Sequence, residues 1–108
     1  MTDYSHEILE IIQSVLGSEI GIFLFGSRAR DDNQEFSDFD IGLYSKESID
    51  RKHINRIYEL LDESTIPFKV DLIDFGEEDA DFTKIAIERI KVWQNHSLIQ
   101  HLIENIKS

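Results

Sequence analysis

A chain of 108 residues with 22 acids, 11 bases and a net charge of −11 has room for one domain, because two halves would each be too small to bury a core. It has no cysteine, which excludes disulfides, thiolate metal sites and cysteine nucleophiles. So acidic a surface repels phosphate backbones and argues against direct nucleic-acid binding, and no apolar run approaches the roughly 18 residues of a membrane span.

Asp3 or Ser5 is placed to cap a first helix, with Ile8, Ile12 and Val15, together with Leu9 and Leu16, at spacings of three and four; Gly17 ends it. Residues 20–25 form a β-branched and aromatic run bounded by turn residues, hence a buried strand. Gly26-Ser27 breaks it, and Ser27 is expected to cap a short helical segment through Ala29 and Arg30. Residues 31–37 read as a polar loop. Residues 38–44 predict a second strand, with Phe39, Ile41 and Leu43 alternating against Asp38, Asp40 and Gly42. Ser48 or Asp50 starts a helix striped by Ile54, Ile57, Tyr58 and Leu61. Pro67 stands in the next connection, and 68–73 predict a third strand. Asp81 is expected to cap a helix carrying Phe82, Ile85, Ala86, Arg89, Ile90 and Trp93, and Ser97 a last one with Leu98, Ile99, Leu102, Ile103 and Ile106. The expectation is one α/β (α+β, two-layer) domain over 1–108, with a small sheet of three to four strands and helices on one face. The other face is left for a site.

The chemistry concentrates in three places. Asp38 and Asp40 are two apart on a strand, so both carboxylates leave the same face, about 7 Å apart along the chain at most. Held together they repel, unless a cation such as Mg²⁺ or Mn²⁺ lies between them. Asp71 interrupts the third apolar strand, which is costly unless it faces the open side or a metal. If that strand pairs beside the second, three carboxylates meet, enough for two metals and in-line displacement at phosphorus. Gly26 lets backbone approach a ligand, Ser27 opens an anion-favouring turn, and Arg28 and Arg30 follow as partners for phosphate, although Asp31 and Asp32 compete for Arg28. The run 62–81 holds eight acids against Lys69 alone, which reads as a solvated face or as a surface for a basic protein. Asp74 falls on the opposite strand face from Asp71 and reads as a strand-end cap.

Gly26-Ser27-Arg28-Ala29-Arg30, then Ser37-Asp38-Phe39-Asp40-Ile41-Gly42-Leu43, then Val70-Asp71-Leu72-Ile73 resemble the signature of the polymerase-β nucleotidyltransferase superfamily, and in particular its minimal (MNT) members. The resemblance implies the nucleotidyltransferase fold, with Gly26 and Ser27 on the nucleotide's phosphates. It also implies that Asp38 and Asp40 ligate Mg²⁺ or Mn²⁺, and that Asp71 completes a second site and activates the attacking hydroxyl. It implies AMP transfer from ATP, an antitoxin role, and a small helical HEPN toxin as partner, whose tyrosine is the acceptor in some systems. A homodimer is a further possibility under this reading. Asp31 departs from the pattern, because many relatives have glycine there. The chain has no room for an acceptor domain, so a partner is the expected substitute. The alternative is a catalytically weak module that neutralises a HEPN protein by occlusion. A two-metal nuclease is disfavoured by the Gly-Ser turn and the charge. Met1-Thr2-Asp3-Tyr4 lacks the features of a signal peptide, so a cytoplasmic protein is expected.

Overall fold

The computed structural model describes residues 4–31 and 38–107. Helix α1 (Ser5–Leu16) leads into β1 (Gly21–Phe25), and β2 (Phe39–Tyr44) returns antiparallel beside it. Helix α2 (Arg51–Glu63) then crosses to β3 (Val70–Asp74), which lies parallel to β2. After α3 (Ala80–Ala86), β4 (Lys91–Gln94) pairs antiparallel with the other side of β1, and α4 (His96–Lys107) follows. The sheet order is β3-β2-β1-β4, which leaves β3 and β4 as its edges.

Helix ends follow local chemistry. Asp50 accepts from the Lys52 amide at 3.0 Å and starts α2, as expected. Gly17, at φ +81°, ends α1, also as expected. Three other caps differ. Ser5 is the first residue inside α1, whose N-cap position is Tyr4, and Asp3 lies outside the described residues. Asp79, not Asp81, starts α3 by accepting from the Phe82 amide at 2.8 Å. Asn95, not Ser97, starts α4, its Oδ1 accepting from the Leu98 amide at 3.3 Å. Asp74 accepts from the Gly76 amide at 2.9 Å and closes the turn after β3, as its strand-end position suggests.

The sheet separates two cores. On one face Ile22, Leu24, Phe39, Ile41, Leu43, Val70 and Leu72 pack against Ile8 and Ile12 of α1 and Ile54, Ile57 and Leu61 of α2. On the other, Phe23 and Phe25 pack with Phe75, Ile87 and the α4 residues Ile99 and Leu102. The fold class is as the sequence suggests, but helices cover both faces rather than one. The cause is β4: residues 91–94 join the sheet instead of continuing a helix, and α4 is thereby returned across the second face. It seats on Gly21, where an added Cβ would lie 2.5 Å from Ile99 Cδ1. Val92 packs on the α4 side and Trp93 on the α1 side of this half-buried strand, whose pairing with β1 shifts register between Ile22 and Phe23. Among the described residues, no helix is long and apolar enough to cross a membrane.

Candidate active site

The parallel register of β2 and β3 sets Asp40 directly beside Asp71, and the antiparallel register of β1 and β2 sets Phe25 on the other side of Asp40. Paired residues share a face, so one row crosses the second face as Asp71, Asp40, Phe25. The next row is Ile73, Gly42 and Phe23, with the Phe23 ring lying where a Gly42 Cβ would stand, 2.2 Å from its Cζ. Phe23, Phe25 and Ile73 pack into the core that α4 closes, while Asp40 and Asp71 stay half-buried. Asp38 precedes β2 and is exposed, on the same side as Asp40 by alternation. The three acids the sequence singles out are therefore neighbours.

Their mutual repulsion shows in Asp40. Its carboxyl is held above the ordinary aspartate range, first by burial, then by the charges of Asp71 and Asp38, with Arg30 and Lys69 pulling the other way. Lys69 enters here without having been predicted as a site residue. It lies two residues before Asp71 on the same side of β3, with its Nζ 3.7 Å from Asp71 Oδ1. A basic residue at period two from a strand acid was the signal available in the sequence.

The turn after β1 packs closely on the acids. Gly26 has φ +75°, and a Cβ there would meet Asp40 Oδ2 at 2.2 Å, so only glycine both adopts this conformation and admits the carboxylate. The Gly26 carbonyl accepts from the amides of Ala29 (3.1 Å) and Arg30 (3.2 Å). That closes a single turn, not the expected short helix, so any anion held beside Ser27 faces local amides without a helix dipole behind them. The two arginines separate. Arg30 is exposed and its charge reaches Asp40. The Arg28 guanidinium stacks 3.9 Å from the centroid of Phe39 and 4.8 Å from that of Phe68, toward the other face of the sheet. Asp31 has φ 60°, a conformation glycine adopts without strain, and its carboxylate is 2.7 Å from Lys91 Nζ. Its charge is thus partnered at the base of the turn. The rest of the expected loop, residues 32–37, lies outside the described residues.

The donor set consists of hard carboxylate oxygens in an acidic cluster with a desolvated member, which fits Mg²⁺ or Mn²⁺ and fits no soft metal. Among the described residues no three such side chains already converge on one point, so the fit is one of chemistry and placement.

The family model described as Polymerase beta, Nucleotidyltransferase matches residues 7–97. The chain is 31% identical over 86 residues to a Haemophilus influenzae protein named probable protein adenylyltransferase MntA, spanning 77% of this chain and 75% of that one. Among solved structures, a toxin–antitoxin with AMP-PNP aligns at TM-score 0.68 and 19% identity, over 95% of this chain and 98% of that chain. A Shewanella oneidensis structure aligns at TM-score 0.71 and 15% identity, over 97% of this chain and 84% of that chain. A tri-AMPylated Shewanella oneidensis HEPN toxin in complex with MNT antitoxin aligns at TM-score 0.57 and 18% identity, over 95% of each chain. These three establish the likeness of fold.

Proposed function

The chain belongs to the polymerase β nucleotidyltransferase family, and we propose that it transfers AMP from ATP to a tyrosine hydroxyl of a HEPN toxin, acting as that toxin's antitoxin in the cytoplasm. The observation that carries this reading is the register pairing of Asp40 with Asp71 under the close-packed Gly26 turn. It is supported by the relative named as a protein adenylyltransferase and by the fold shared with an antitoxin bound to an AMPylated HEPN toxin.

Asp38 and Asp40 would hold Mg²⁺, with Asp71 completing a second position; the ions supply charge neutralisation at the phosphates and at the attacking oxygen. Gly26, Ser27 and Arg30 would meet the triphosphate, while Arg28 anchors the turn through its stacking on Phe39. The acceptor hydroxyl oxygen forms a bond to the α-phosphorus as the bond to the α–β bridging oxygen breaks. Pyrophosphate leaves with that electron pair, and the hydroxyl proton passes to the Asp71 carboxylate and on to solvent.

The test incubates the purified chain with its HEPN partner, ATP and Mg²⁺, and follows a mass gain of one AMP on the partner. Asp71→Asn is expected to keep ATP and partner binding but slow transfer by a factor on the order of 10² or more. A wild type that silences the partner's ribonuclease activity without adding AMP would overturn transfer in favour of occlusion. Equal transfer by wild type and Asp71→Asn would remove Asp71 from its assigned role.

A further inference from the structure

The acceptor needs a place to lie, and a cavity among the described residues touches the acid row. It has a volume of about 410 Å³, wraps the free edge of β3, and is lined by Tyr58, Leu61, Ile66, Phe68, Lys69 and Asp71 among others. That volume is within the roughly 300–1,000 Å³ of small-ligand sites, enough for one aromatic side chain and the backbone either side of it. A larger cavity of about 710 Å³ lies past the Tyr44 end of β2, bordered by Ser45, Lys46 and the start of α4, at the far end of the sheet from Asp40. A third is bordered by Val92 and α4 and includes none of the acids.

We infer that the β3-edge groove is the acceptor subsite, and that its occupant is a tyrosine side chain of the partner protein. The inference rests on the adenylyl-transfer reading above.

Three features select that occupant. First, Asp71 stands on an edge strand, so among the described residues no other strand flanks its outer side. Second, the edge does not invite a fifth strand: the Leu72 amide is already bound by Tyr58 Oη at 2.8 Å. An incoming segment is therefore held by what it inserts rather than by extending the sheet. Third, the lining is divided. Leu61, Ile66 and Phe68 give an apolar floor, whereas Lys69 and Asp71, 3.7 Å apart, give a charged end that leads to Asp40. A side chain with an apolar ring and a hydroxyl at its tip matches both ends at once; serine or threonine would leave the floor uncovered. Lys69, with 69% of its side chain exposed, is the cation that meets the hydroxyl as it arrives. The acids along the groove, Asp62 and Asp71, and the net charge of −11 favour basic residues beside that tyrosine.

Two variants and one cross-link test this on the complex with the HEPN partner. Ile66→Trp fills the floor while staying apolar, and Lys69→Met removes the cation. Ile66→Trp is expected to raise the KM for the partner at least about tenfold, the lower end of what a hydrophobic pocket confers. Lys69→Met is expected to lower kcat/KM by a similar factor, with partial recovery in Lys69→Arg. Mg·ATP affinity by calorimetry should stay within about twofold in Ile66→Trp. Benzoylphenylalanine in place of the tyrosine that wild type modifies should photo-cross-link to residues 58–71. Unchanged kinetics in both variants, or cross-links to the Ser45–Lys46 cavity, overturn the subsite while transfer by wild type stands. Absence of transfer by wild type itself overturns the adenylyl-transfer reading, and the subsite with it.

Discussion

Gly17 and Gly26 provide an internally controlled measurement of how closely the turn after β1 is fitted to the acids. Both have positive φ, at +81° and +75°, but nothing lies within 4 Å of a Cβ built at Gly17. At Gly26 the same atom would meet Asp40 Oδ2 at 2.2 Å, Cγ at 3.1 Å and Cβ at 3.3 Å. Alanine at either site suffers a positive-φ penalty of roughly 1–3 kcal/mol. Gly17, with ψ −169°, lies in the region most restricted to glycine, so its loss sets a high baseline. Both variants gain from a less flexible unfolded chain. Gly26→Ala adds the contact. Rotating the carboxylate relieves the oxygen but not Asp40 Cβ, so overpacking of about 1–3 kcal/mol is expected beyond the Gly17→Ala loss. For a domain of this size each kcal/mol is worth roughly 4–8 °C in Tm, so the two melting curves should separate clearly. Function should separate further. A displacement of about 1 Å at a reacting group is worth on the order of 10² in rate, so Gly26→Ala is expected to lose AMP transfer while Gly17→Ala keeps it. Thermal denaturation and the mass assay read both quantities. Equal losses of stability and of transfer in the two variants would refute the close fit between Gly26 and Asp40.

Two further predictions concern charge and the sheet edge. Folding raises the pKa of Asp40, so the ionised carboxylate is penalised in the native state; the penalty vanishes below about pH 4, where aspartate is protonated folded or unfolded, and is complete above the raised value. Asp40→Asn in EDTA should therefore melt above wild type at neutral pH, with the gap closing as the pH falls, and a gap that widens in acid would contradict the assigned repulsion. Tyr58→Phe removes the hydroxyl that binds the Leu72 amide and is expected to cost about 0.5–1.5 kcal/mol. Hydrogen exchange should show faster opening at Leu72, and unchanged protection there would mean that Tyr58 does not secure the edge.

The acids were legible in the sequence because strand periodicity is strict: once residues 38–44 are a strand, Asp38 and Asp40 must share a face. That Asp71 joins them was legible only conditionally, since alternation fixes a residue's face but not which strands are neighbours. The parallel register of β2 and β3 supplies that choice. The fourth strand was hidden by a coincidence of spacing. Phe82, Ile85, Ala86, Arg89, Ile90 and Trp93 fit a helical stripe, yet residues 91–94 gain more as the partner of β1, which would otherwise have an unpaired edge. The stacking of Arg28 was not legible beside Ser27. Its actual neighbours, the Phe39 and Phe68 rings, come from two other parts of the chain that no local pattern brings together.

The four phenylalanines beside the acids give the carboxylate row two unlike sides. Phe25 borders Asp40, Phe23 and Phe75 pack on Phe25 with ring centroids 6.0 and 5.3 Å away, and Phe82 closes edge-on at 6.3 Å. Hydrocarbon polarises little, so on that side the field of the carboxylates is hardly screened, while water screens it where the row is open to solvent. The aromatic wall therefore works as a dielectric boundary. It concentrates the field of three modest charges into the space above the row, where a cation would be held more firmly than by the same carboxylates on an open surface.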